Sequence, residues 1–188
     1  MSLVVDRIKC VEETDGLGSD EIYMVVFRGR TSAPFSTGLA SVGPGSAWDD
    51  FDSGETSNTD VTIAQTNSDA VYALMLIEQD DGKDVAGTDV IGAWKAQTDL
   101  IWKSIMLGFV AGGLPTNTPT ARAAGFNAIR NALNGLASLY TNFPKGNDDI
   151  LDVERITITN PGQSQTIRFR SNAEDATYDI TFKQTAAV

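Results

Sequence analysis

Ala70-Val71-Tyr72-Ala73-Leu74-Met75-Leu76-Ile77 is a nearly continuous apolar run. Its length and composition predict a long strand in the middle of a sheet assembly, covered on at least one face. The turn signal Asn67-Ser68-Asp69 precedes it, and the acidic loop from Glu78 to Asp89 follows it. Before the turn, Val61-Thr62-Ile63-Ala64-Gln65 reads as a second strand. Further back, the runs Leu3 to Val11 and Tyr23 to Phe27 have the β-branched and aromatic make-up of strands. The acidic, glycine-rich stretch Glu12-Glu13-Thr14-Asp15-Gly16-Leu17-Gly18-Ser19-Asp20-Glu21 joins these two at a sheet end. Between Gly29 and Ser57, Gly, Ser, Thr and Pro dominate. Short strands are expected there near Phe35 and Trp48, although periodicity does not fix them.

After the acidic loop the period changes. Trp94, Ile101, Ile105 and Phe109 fall at helical spacing, and Gly112-Gly113-Leu114-Pro115 breaks the pattern. Thr118-Pro119 supplies an N-cap with proline at the first helical position, and Phe126, Ile129, Leu133, Leu136 and Tyr140 trace a second stripe. Pro144-Lys145-Gly146 ends it. Strand character then returns in Arg155 to Thr159, Thr166 to Arg170 and Thr177 to Phe182. The order implies a helical hairpin inserted into an all-β domain: residues 1–92 and 148–188 form the β part, and 93–147 form the hairpin.

Composition narrows the function. The chain has 188 residues, 41% hydrophobic and 21% charged, as a globular domain does. Its 14 Lys+Arg against 25 Asp+Glu give a formal charge of -11, which argues against nucleic acid as a partner and against anionic membranes unless cations intervene. The absence of histidine rules out a Ser-His-Asp triad, a Cys-His pair and an ordinary zinc site. Cys10, the single cysteine, lies in the first apolar run and reads as a buried thiol. The amino terminus does not read as a signal peptide, and the segment Leu100 to Leu114 is too short and too interrupted to span a bilayer. The chain is therefore expected to be cytoplasmic or exported without a leader.

The acidic loops carry a resemblance. Asp15-Gly16-Leu17-Gly18-Ser19-Asp20-Glu21-Ile22-Tyr23-Met24-Val25-Val26 resembles the first calcium loop of C2 domains. The stretch from Leu76 to Gly92, ending in Asp89-Val90-Ile91-Gly92, resembles their third, in which the last aspartate leads the chain back into the sheet. The overall pattern is similar to an uncharacterised bacterial C2-like group. The resemblance implies a mainly β, C2-like antiparallel β-sandwich with an inserted α-helical hairpin, and calcium as cofactor. It implies Asp15 and Asp20 as first-loop ligands and Asp89 as the last third-loop ligand. Glu78 with Asp80 preserves the usual pair spacing, and Asp81 and Asp84 compete for those roles. Asp15 and Asp20 stand one residue closer than in the usual loop, Glu21 replaces a proline, and the third loop is longer.

Calcium needs six to eight oxygens at about 2.3–2.6 Å, which crowded carboxylates supply. The same carboxylates also serve simply to keep loops soluble. Trp48-Asp49-Asp50-Phe51-Asp52-Ser53-Gly54-Glu55 is a further acidic loop, and Asp148-Asp149 caps the return from the hairpin. The favoured expectation is a non-enzymatic calcium-dependent binding or self-assembly module, with calcium, a second copy, or a membrane or protein surface as partner. The alternatives are a self-assembling structural subunit with solvated acidic loops and helix-mediated contacts, and a membrane-active effector using the hairpin. Ile101, Trp102, Met106, Leu107, Phe109 and Val110 spread too far round one helix for a single sheet face to hide.

Overall fold

A computed structural model describes residues 1–13, 20–43, 48, 51–65, 68–78, 88–141, 149–157, 161–171 and 175–186. Its elements are β1 (Ser2–Glu12), β2 (Ile22–Arg30), β3 (Thr37–Val42), β4 (Thr56–Gln65), β5 (Ala70–Glu78), α1 (Thr88–Ala111), α2 (Pro119–Thr141), β6 (Asp149–Ile156), β7 (Ser164–Arg170) and β8 (Thr177–Thr185). They form two separate four-stranded antiparallel sheets, ordered β4-β1-β8-β7 and β3-β2-β5-β6, with the two helices packed together.

All nine residues of β5 are buried. Tyr72, Leu74 and Leu76 belong to a core cluster that also draws on Leu3, Val5 and Ile8 of β1 and Tyr178, Ile180 and Phe182 of β8. Val71, Ala73, Met75 and Ile77, on the opposite face, belong to a second cluster with Trp94, Trp102 and Met106 of α1 and Ile129 and Leu133 of α2. The continuous apolar run thus reflects two covered faces. The expected mainly β, C2-like antiparallel β-sandwich with an inserted α-helical hairpin is corrected to a mixed α/β architecture. The helices are a full layer with a core of their own.

The resemblance at the third calcium loop is overturned at the same place. Asp89-Val90-Ile91-Gly92 opens α1, a 24-residue helix, where the C2-like reading has the chain re-enter a sheet. Val90 and Ile91 are half-buried against the helical core.

Trp102 fixes the helical layer to the sheet. Its indole fills the space left by two glycines, Gly29 of β2 and Gly125 of α2: a Cβ at either position would lie 2.5 Å from a ring carbon. Its Nε1–H donates to the Arg30 carbonyl at 2.9 Å, so the ring is held in orientation as well as position. Phe27 meets it edge-on, with centroids 5.7 Å apart. Nearby, Thr116 Oγ1 donates to the Thr31 carbonyl at 2.5 Å, and Arg122 Nη2 donates to the Ser68 carbonyl at 2.7 Å. The loop between the helices is therefore tied to the end of the β3-β2-β5-β6 sheet.

Sequence signals account for the helix ends that border this loop. The Leu114 N–H bonds the Phe109 carbonyl and the Gly113 N–H bonds the Val110 carbonyl, with Gly113 at φ +69. This is a Schellman stop, for which glycine has the least steric cost. Thr118 Oγ1 accepts from the Ala121 N–H at 3.2 Å, capping α2 ahead of Pro119. β3 was not fixed by sequence because Thr37-Gly38-Leu39-Ala40-Ser41-Val42 is short and built mainly of small residues at a sheet edge. β6 begins earlier than expected, at Asp149, and pairs with β5 through an irregularity between Leu76 and Ile77.

Candidate functional site

Of the expected calcium ligands, Asp20, Glu78 and Asp89 fall among the described residues. Asp20 is only 2% exposed and forms an antiparallel bridge with Phe51, with both N···O distances 3.1 Å. Its Oδ2 accepts a hydrogen bond from the buried Tyr178 hydroxyl, so its carboxylate is used inside the fold. Burial, and then Asp20, raise the Tyr178 pKa above its ordinary value. Burial also pushes the neighbouring Cys10 thiol up to about 11, an inert core group as the sequence implied. Glu78 ends β5, buried, opposite Ile22 of β2 and Asp149 of β6. Asp89 lies in the first turn of α1. Asp15, Asp80, Asp81 and Asp84 lie outside the described residues.

Among the described residues, no group of three or more Asp, Glu, Cys or His could hold a metal ion. The expectation of a calcium-binding, C2-like module is corrected accordingly. In the acidic segment from Trp48 to Glu55, Trp48 and Phe51 are core residues, and the Trp48 carbonyl accepts from the Ile22 N–H at 3.0 Å. Trp48 and Phe51 thus bring that segment onto the core beside β2.

The other arrangement with chemical consequence lies on the far side of α1. Trp94, Thr98, Trp102 and Met106, spaced by four, are buried. Thr98 satisfies its hydroxyl within the helix, donating to the Trp94 carbonyl at 2.8 Å. The opposite line is exposed: Leu100 is 68% accessible, Leu107 55% and Val110 52%, and Leu114, just past the helix end, is 56% accessible. Within α1, Ala93, Leu100 and Leu107 stand seven residues apart, and so do Ala96, Lys103 and Val110, whereas Leu114 follows the helix stop. This is the spacing of a narrow helix–helix seam, with each seven-residue step rising about 10.5 Å along a helix. Lys103 is held by Asp99 at 2.7 Å, and Asp99 in turn accepts from Thr37 Oγ1 at 2.7 Å. The Lys103 partner, ahead of Thr37, keeps the Asp99 carboxyl below its ordinary pKa. From Ser104 to Ala121 the chain has no charged residue.

Sequence reasoning singled out Leu107 and Val110 as part of an apolar excess, and both face outward. It grouped them with Trp102 and Met106, which are core, and it did not single out Leu100 and Leu114. The seven-residue line was the available signal. Gly125 of α2 receives Trp102, whereas a Cβ on Gly135 would meet nothing within 4 Å. No helix among the described residues is long and apolar enough to cross a membrane. Compared with protein-family models, curated proteins and solved structures, the chain matches none.

Proposed function

We propose that the chain is a non-enzymatic structural subunit that self-associates through the outer face of α1, with a second copy as its partner. One observation carries this reading: exposed apolar side chains, Leu100, Leu107 and Val110, line one face of a helix whose other face is anchored in a core, and exposed Leu114 follows just past the helix end. Contiguous apolar surface of that kind marks a contact site.

Charge favours another copy over a lipid surface. A chain of formal charge -11 is repelled by an anionic bilayer, and the lipid-facing helices that overcome such repulsion carry abundant Lys and Arg. α1 has two lysines, of which Lys103 is paired to Asp99. Two copies repel each other as well, and the uncharged surface after Lys103 is where their approach costs least.

A two-fold axis near Leu107 satisfies the spacing. It sets Leu107 against itself, brings Leu100 of one copy to the C-terminal end of the other's α1, and leaves Lys103 at the rim near Ala111 of the second copy. Withdrawing the three exposed side chains of α1 from water on both copies is worth roughly 5–10 kcal/mol. The cost of association is about 4–15 kcal/mol. The comparison supports a reversible, concentration-dependent dimer over a permanent one.

Cross-linking tests the arrangement. Under mild oxidation, a Leu107→Cys variant forms a disulfide-linked dimer, whereas Asn134→Cys, on the exposed side of α2, does not. Cys10 is buried and does not compete. Equal cross-linking of both variants, or of neither, overturns the proposal.

A further inference from the structure

A shallow cavity of about 180 Å³ opens between the edges of the two sheets, lined by Val26 and Arg28 of β2, Gly38 to Ala40 of β3 and Ile63 to Gln65 of β4. β3 and β4 are each the outermost strand of their sheet, so the cavity sits where the core between the sheets meets solvent. Arg28 shares the face of β2 that carries Ile22, Met24 and Val26 into that core. It is half-buried, and among the described residues neither an ion pair nor a hydrogen bond engages its guanidinium. In a chain with 25 acidic and 14 basic residues, a sheltered arginine without a carboxylate partner is unusual.

The register explains the space around it. Arg28 pairs across the sheet with Gly38, whose missing side chain leaves the mouth open: a Cβ there would come no closer than 4.0 Å, to Arg28 Nε. The wall beyond is apolar, from the side chains of Val26, Ala40, Ile63 and Ala64. At the rim, Gln65 Oε1 accepts from Ser2 Oγ at 3.3 Å, which leaves the Gln65 amide hydrogens available as donors.

We propose that this cavity binds a small monocarboxylate with an apolar body, the carboxylate on Arg28 and the body against Ile63 and Ala40. A planar guanidinium donates two parallel hydrogen bonds to a carboxylate, and the match is strongest where water is partly excluded. The size agrees, since an apolar cavity of about 150 Å³ accommodates a benzene ring, so benzoate is a fitting probe. The site is independent of the α1 seam.

Titration of the intact chain with benzoate, followed by backbone amide NMR, tests the site. Saturable shifts are expected in β2, β3 and β4, with benzamide, the neutral isostere, at least tenfold weaker. Arg28→Gln weakens benzoate by at least tenfold and leaves benzamide unchanged, while Arg28→Lys retains part of the difference. Gly38→Leu fills the mouth and removes both. Inorganic phosphate, which has the charge and lacks the apolar body, binds more weakly than benzoate. Any of three results overturns the proposal: no saturable shift with benzoate in a folded wild type, equal affinity for benzoate and benzamide, or an Arg28→Gln variant that melts like the wild type and binds benzoate as tightly.

Discussion

Gly125→Ala is expected to destabilise the protein, although a glycine-to-alanine change inside a helix ordinarily stabilises it. The new methyl carbon would stand 2.5 Å from Trp102 Cζ3, 3.0 Å from Cη2 and 3.1 Å from Met106 Cε. Carbon atoms in good contact are about 3.5–4.0 Å apart. The ring cannot retreat, because its other side is pressed on Gly29, where a Cβ would meet three indole atoms at 2.5, 2.6 and 2.8 Å. Its Nε1–H is also fixed to Arg30. Overpacking of this kind costs about 3 kcal/mol, and helix propensity returns about 1, leaving a net loss of about 2 kcal/mol. In a chain of 188 residues that lowers Tm by about 4–8 °C. Gly135→Ala, in the same helix but facing open space, raises Tm by about 2–4 °C. Circular-dichroism melts at one protein concentration compare the two. In a Trp102→Leu background the penalty at Gly125 disappears and the propensity gain is recovered. A Gly125→Ala variant that gains as much as Gly135→Ala refutes the packing of Trp102 between the two glycines.

Two further outcomes follow from the polar contacts. Tyr178→Phe removes the hydroxyl that bonds Asp20 across the core, at a cost of about 1.5–3 kcal/mol, and lowers the urea midpoint; an unchanged midpoint contradicts a structural role for that bond. Asp69 is held below its ordinary pKa near 3.8, first by Ser32 and then by Arg30, whose Nη2 stands 2.8 Å away. Because its folded pKa is the lower one, its contribution is complete above the ordinary value and lost as pH falls through the folded one. Asp69→Asn therefore lowers Tm near neutrality and flattens the acid side of the Tm profile below about pH 5; parallel profiles contradict this.

The strands with a clear period or a long apolar run were legible, and so were the stop of α1 and the cap of α2, because each depends on residues close in sequence. What escaped was set at long range. The run from Ala70 to Ile77 announced a covered strand, but nothing local says what covers each face, and the helices proved to cover one of them. Asp89-Val90-Ile91-Gly92 has the same local pattern whether it enters a strand or opens a helix, and the C2-like reading took the strand. Asp20 read as a loop ligand because Tyr178, its partner, lies 158 residues away. On α1 both lines of the helix contain large apolar residues, so hydrophobicity alone could not choose the inner one. The choice is made by Trp102 together with the two glycines that admit it, one of them on a different element.

Sedimentation equilibrium on the wild type and Leu107→Ala tests the self-association most directly. Leu107 is 55% exposed, so truncation removes about half of a leucine's burial from each copy, or roughly 1.5–3 kcal/mol per dimer once the two-fold doubles it. The account predicts a reversible monomer–dimer equilibrium in the wild type that EDTA leaves unchanged, and a Kd roughly 10- to 150-fold weaker in Leu107→Ala. A wild type that stays monomeric at every concentration, or a dimer whose Kd is indifferent to Leu107→Ala, would contradict it.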